Sequence, residues 1–124
     1  MGIGGIFFKA QDPEKLTAWY QQNLGFAQAH GNMALFRWRA QDNPEQTRTT
    51  VWSTFKQDTT YFNPSQASFM INYQVTDLDK MLEQLRAQGV QVDEKIEESD
   101  FGRFGWAMDP EGNRIELWEP PRNK

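Results

Sequence analysis

Two stretches of the chain carry the same alternation of apolar and polar positions. In "IGGIFFKAQDPEKLTAWYQQNLGF" an apolar run passes through an Asp into a segment where Leu16, Trp19, Tyr20 and Leu24 recur at helical spacing, and a Gly closes it. "SFMINYQVTDLDKMLEQLRAQGV" repeats the order, with Leu78, Met81, Leu82 and Leu85 on the helical stripe. Laying Asp12 on Asp77 brings Gly25 onto Gly89 to within one residue, so the two stretches read as copies of one strand–helix unit. Asp12 and Asp77 are predicted N-caps, because a short carboxylate accepts from the free N–H groups of a first turn. Pro13 stands where its missing N–H does no harm.

After each helix the period shortens. Residues 26–29, 33–38 and 49–55 follow the first helix and residues 90–96, 103–108 and 114–118 the second, and these segments are predicted strands. "HGN" is read as a turn, and "RAQDNPEQ" and "DTTYFNPSQA" as loops, the last joining the two units. In "MDPEGNRIELWEP" Pro110 suits the first corner of a type I turn and Gly112 the left-handed position after it, so the last two strands meet as a hairpin. The predicted class is α+β. Two βαβββ modules, about residues 1–57 and 68–120 of a single domain spanning 1–124, form curled mixed sheets around a central cleft with the helices outside.

The two-residue period of strands then divides inward from outward side chains. Gly5, Phe7 and Lys9 are expected to face the cleft from the first strand, and Met70, Asn72 and Gln74 from its counterpart. The last hairpin adds Phe104, Trp106 and Met108, then Arg114, Glu116 and Trp118. Trp52, from the last strand of the first module, is expected to join them. Phe8, Ile71, Tyr73, Val75, Ile115 and Leu117 turn towards the helices. An apolar cup with a few polar groups set into it has the composition of a small-molecule pocket. Glu116 is the candidate for acid–base chemistry or for orienting a ligand, and pairing with Lys9 or Arg114 is its structural alternative.

Composition narrows the partners. With 124 residues, 38% of them hydrophobic, one core is expected. The formal charge is −4 and the basic residues are scattered, which argues against nucleic acid. The absence of cysteine removes disulfides, thiolate metal sites and cysteine nucleophiles. No charged leader and no apolar run of ~20 residues is seen, so neither a membrane partner nor secretion is expected and the cytoplasm is the predicted location. The one histidine, His30 in "AHGNM", reads as a turn residue; "GIGG" precedes a strand instead of opening a helix, and no GxSxG occurs. Five Trp, three Tyr and nine Phe exceed what a core of this size needs, and a homodimer is expected to cover some of them.

The paired modules, with "DPEKLTAWYQQNLGF", "VTDLDKMLEQLRAQGV" and "DPEGNRIELWEP", resemble the vicinal oxygen chelate superfamily of glyoxalases, bleomycin-resistance proteins and dioxygenases. The resemblance spans nearly the whole chain. It implies four metal-ligand positions, on the first and last strand of each module, which fall here on Gly5, on Trp52 or Ser53, on Met70 and on Glu116. Of these only Glu116 carries a carboxylate; Gly5 has no side chain and a thioether is a poor ligand for a hard cation. The resemblance therefore implies a binding protein with a degenerate metal site, no metal and no other cofactor, holding a planar or cationic small molecule by stacking and cation–π contact. The alternative it leaves open is a divalent-metal-dependent lyase, isomerase or dioxygenase with an atypical site; a non-catalytic interaction module is a third.

Overall fold

Asp12 accepts a hydrogen bond from the Lys15 amide at 3.1 Å and Asp77 from the Lys80 amide at 3.1 Å. These caps open α1 (Pro13–Leu24) and α2 (Leu78–Ala87). Gly25, at φ 74°, ends α1 in the left-handed conformation that a side chain would disfavour. The computed structural model describes residues 1–121, with the backbone alone for residues 28–30. The side chain of His30 lies outside the described residues.

The strands are β1 (Gly2–Ala10), β2 (Gln28–His30), β3 (Met33–Arg39), β4 (Thr47–Lys56), β5 (Phe69–Gln74), β6 (Glu97–Ser99), β7 (Gly102–Met108) and β8 (Arg114–Glu119). They form one mixed sheet in the order β2-β3-β4-β1-β5-β8-β7-β6. β1 runs parallel to β4 and β5 parallel to β8, so each module has the same internal order. The antiparallel pairing of β1 with β5 joins the modules edge to edge. The expected strand over residues 90–96 is the one that does not form. Val92 alone bridges to Ala107, flanked by the Asp93 N–H donating to the Trp106 carbonyl at 2.9 Å and the Met108 N–H to the Gln91 carbonyl at 3.0 Å, while Arg86 of α2 donates to the Asp93 carbonyl at 3.0 Å; pairing resumes at Glu97.

The sheet has two differently filled faces. Against α2, Val75, Leu78, Leu82 and Leu117 are buried together, and Leu78 and Leu82, at 0% and 1% exposed, each contribute roughly 1.5–3 kcal/mol of burial. Against α1, Trp52 packs on Tyr20 at 4.8 Å and on Phe26 at 5.2 Å between ring centroids, while Thr17 and Thr54 share a hydroxyl hydrogen bond of 3.1 Å. On the concave face Phe7, Phe62, Met70 and Trp106 form a second cluster. Phe62 comes from the segment between the modules, which packs as a plug at 0% exposed. Arg103 holds β7 to α2 through two contacts of 3.0 Å to Asp79, which draw the Asp79 carboxyl below its ordinary range. Among the described residues no helix is long and apolar enough to cross a membrane.

Candidate functional site

The cup is shaped by a slip in β1. Gly2 pairs with Gln74 and Ile3 with Tyr73, but Gly5 pairs with Asn72, leaving Gly4 as the extra residue of a bulge. A Cβ on Gly4 would stand 2.1 Å from Asn72 Oδ1 and 2.9 Å from the Trp118 ring, so only glycine lets these neighbours close over the strand. Beside it opens a cavity of about 680 Å³. Gly4 and Phe7 of β1 form part of its floor, and Met33, Leu35, Thr49, Val51, Ser53 and Phe55 of β3 and β4 its module-one wall. Asn72, Phe104, Glu116 and Trp118 supply the module-two wall, with Phe101 and Tyr61 completing the lining.

Glu116 sits at the base of this cup, only 2% exposed. Its carboxylate accepts from Asn72 Nδ2 at 2.6 Å, from Trp106 Nε1 at 2.9 Å and from the Tyr61 hydroxyl. Burial pushes the Glu116 carboxyl above its ordinary range, and the bonds from Tyr61, Asn72 and Trp106 pull in the opposite direction without cancelling it. The Tyr61 hydroxyl is pushed well above its usual range by burial first and by the neighbouring carboxylate second. One acceptor here lacks a donor: Asn72 Oδ1, on a side chain that is 1% exposed.

Arg114 reaches this network indirectly. Its guanidinium donates to the Tyr61 carbonyl at 2.7 Å, the Asn63 carbonyl at 2.8 Å and Asp93 at 2.9 Å, and lies 5.0 Å from the Trp106 ring centre. It thereby fastens the inter-module segment that delivers Tyr61 to Glu116. In place of the alternative ion pair with Lys9 or Arg114, both Glu116 oxygens accept from Tyr61, Asn72 and Trp106, and the Lys9 ammonium lies 5.5 Å from the centre of the Phe62 ring.

Of the side chains expected to line one cup, Phe7, Asn72, Phe104, Glu116 and Trp118 are brought together. Met70 and Trp106 lie beneath it in the concave cluster, Trp106 with its indole N–H on Glu116. The others need correction. Trp52 faces α1, because its neighbour Ser53 takes the inward position opposite Phe7. Gln74 is turned to the Thr49 carbonyl at 2.7 Å across the Gly4 bulge. Met108 pairs with Arg114 at the end of the hairpin, outside the cup, and Arg114 is spent on the inter-module segment. Lys9 is likewise outside it, past the Phe62 plug. Sequence reasoning missed Tyr61, whose signal was the adjacent pair Tyr61-Phe62 in an otherwise polar loop, and the module-one wall of β3 and β4.

The pairings also fix which positions face a shared centre. Phe7 pairs with Ser53 across β1 and β4, and Asn72 with Glu116 across β5 and β8; each first-strand residue stands at the same distance before its helix cap. The expected positions Gly5 and Met70 lie on the same face, Gly5 opposite Asn72 and Met70 opposite Phe7 across β1 and β5. As a donor set these residues do not fit a divalent cation of the kind the resemblance implies. Gly5 and Phe7 offer no donor atom, Met70 a thioether and Ser53 a neutral hydroxyl; Asn72 adds one unpaired amide oxygen, and the two Glu116 oxygens already accept three hydrogen bonds, whereas such sites use about three or four nitrogen or oxygen ligands. Among the described residues no three His, Asp or Glu side chains converge.

A family model described as a glyoxalase-like domain matches residues 5–118. No curated protein matches the sequence. Among solved structures, a variant of Streptomyces coelicolor methylmalonyl-CoA epimerase in complex with 2-nitronate-propionyl-CoA superposes with a TM-score of 0.69 at 15% identity, covering 98% of this chain and 99% of that one. The methylmalonyl-CoA epimerase of Mycobacterium tuberculosis gives 0.61 at 19% identity, with 98% and 89% covered. A glyoxalase/bleomycin resistance protein/dioxygenase superfamily member from Vibrio splendidus gives 0.58 at 10% identity, with 94% and 97% covered. At these identities the likeness is one of fold.

Proposed function

The chain belongs to the glyoxalase-like family, and from that premise we propose that it binds a small organic molecule in the cup, in the manner of the metal-free, bleomycin-resistance-like members of the superfamily. One observation carries the reading. The carboxylate that a metal-dependent relative would turn to its ion is here closed into hydrogen bonds with Tyr61, Asn72 and Trp106, at the base of a large, mostly apolar cavity. The test is elemental analysis of the purified chain combined with a thermal-shift screen of small molecules. The expected result is no stoichiometric metal and saturable stabilisation by cup-sized ligands. One equivalent of Zn²⁺, Ni²⁺ or Fe²⁺ that is lost in Glu116→Ala would overturn it.

A second reading, an isomerase, is favoured by the raised Glu116 carboxyl next to the Tyr61 hydroxyl, a pair suited to moving a proton at the cup base. The neighbouring epimerases supply the substrate to try: turnover of methylmalonyl-CoA would establish this reading, and its absence at high enzyme concentration would remove that substrate. The proposal includes a homodimer, supported by Trp19, Leu24 and Phe36, which remain 53%, 59% and 43% exposed. Light scattering at tens of micromolar protein checks it, and a monomer sinks it.

A further inference from the structure

Resting on the binding cup just proposed, we infer that its ligand is a flat, uncharged, largely aromatic molecule. Charge and shape both point there. No Lys or Arg is found among the described residues lining the cavity, so a carboxylate or phosphate entering it would lose its water with no cation to replace it. Arg114, the cation in the neighbouring network, lies outside the lining and has both terminal nitrogens engaged, by two carbonyls and by Asp93, with only its buried Nε unpaired.

A cation fares little better. Glu116 is the one carboxylate among the described residues of the lining, and an ammonium could use it only by displacing Asn72, Trp106 or the Tyr61 hydroxyl from its two oxygens. Each displacement leaves a buried donor unpaired, which offsets the gain of a new ion pair. Burial also favours the neutral form of this carboxyl, which lowers the charge available for a cation.

Aromatic surface is what the cup does offer. Phe104 and Trp118 lie within 4° of parallel at 5.8 Å between centroids, and Phe55 and Tyr61 within 7° at 5.6 Å, so two pairs of lining rings each share one orientation, while Phe7 stands at 62° to Phe55. The Trp118 ring is held in place by its N–H, which donates to the Phe101 carbonyl at 2.7 Å. Parallel ring pairs already in place favour a planar guest, which stacks without reordering them.

The experiment titrates the full chain at about pH 8 with three fused tricyclic probes of the same outline: acridine, which is uncharged there, the permanently cationic N-methylacridinium, and acridine-9-carboxylate. Binding is read by probe fluorescence anisotropy on wild type, Trp118→Ala and Phe104→Leu. Acridine is expected to bind at least tenfold more tightly than either charged analogue, and to lose about tenfold in at least one of the two wall variants that remains folded by circular dichroism. Saturable binding in which a charged probe equals or exceeds acridine overturns the inference and leaves the binding cup standing. Saturable acridine binding unchanged in both folded wall variants places the guest elsewhere and overturns it as well. If none of the probes binds, both the inference and the binding-cup reading fall.

Discussion

The two modules share a fold but differ in what they put at the centre of the cup. At equivalent places module one carries Met33, Ser53 and Phe7, and module two carries Trp106, Glu116 and Asn72. In module two the three are each at most 2% exposed and hydrogen-bonded to one another. In module one Ser53 is only half-buried, and its hydroxyl makes a long 3.4 Å contact to the Thr54 carbonyl. A duplicated frame thus gives one half that is a buried polar network, hydrogen-bonded except at Asn72 Oδ1, and another that is a soft apolar wall. The difference says that polar chemistry at this centre depends on a closed network of donors, and that the half without a carboxylate has no need of one.

The contrast between the halves breaks most visibly at Trp106. Truncating it removes a fully buried ring and one of the three donors to Glu116, so Trp106→Ala is expected to destabilise by about 3–5 kcal/mol in urea unfolding. Met33→Ala, at the equivalent and half-buried place, is expected to cost less than ~2 kcal/mol. Equal losses would mean the two halves are packed alike and the contrast is only one of residue type. Tyr61→Phe is the next step down: it keeps the ring and deletes the hydroxyl on Glu116, with an expected loss of about 1–2 kcal/mol. A variant as stable as wild type would show that Tyr61 contributes only its ring.

Much of this was legible in the sequence where the cause is local. Asp12, Asp77 and Gly25 cap their helices by short-range geometry, and Asp109 accepts from the amides of Glu111 and Asn113, both at 2.9 Å, to build the turn that "DPEGN" announces. The inward positions of Asn72, Phe104, Glu116 and Trp118 followed from strict alternation, which did not mark that Gln74, Met108 and Arg114 would be drawn to other partners. What was hidden depends on contacts far apart in the chain. The Gly4 bulge exists only in the pairing of β1 with β5, and nothing in "GIGGIF" marks which glycine is the extra one. Trp52 and Ser53 differ by one residue, so assigning the inward one required the register of β4 against β1. Tyr61 lies in a segment whose polar composition reads as a solvated loop; its place is set by Arg114, more than fifty residues on.

The smallest effect expected is also the one that separates a structural carboxylate from a charged one. Glu116→Gln keeps the outline of the side chain. The amide oxygen can accept from Trp106 and Tyr61 where one carboxylate oxygen does now, and the amide N–H then meets Asn72, whose own amide can turn to offer Oδ1, at present without a donor. One Asn72 group is unpaired either way, Oδ1 before the turn and Nδ2 after it, so the number of unsatisfied groups hardly changes and near pH 5 stability should change by less than ~1 kcal/mol. The pH dependence carries the sign. Because the folded protein holds the Glu116 proton more tightly than the unfolded chain does, this group's contribution is fully present below the ordinary glutamate range and is lost as pH rises through the raised folded value. Relative to wild type, Glu116→Gln should therefore gain stability as pH is raised from about 4 to about 8, with Ser53→Ala, its module-one counterpart, showing a difference that stays flat. Urea unfolding of the three proteins across that range decides the matter. A difference between wild type and Glu116→Gln that is flat or falls with pH would mean the carboxylate is stabilised as an ion by its three donors, and its burial would then no longer count against cationic ligands.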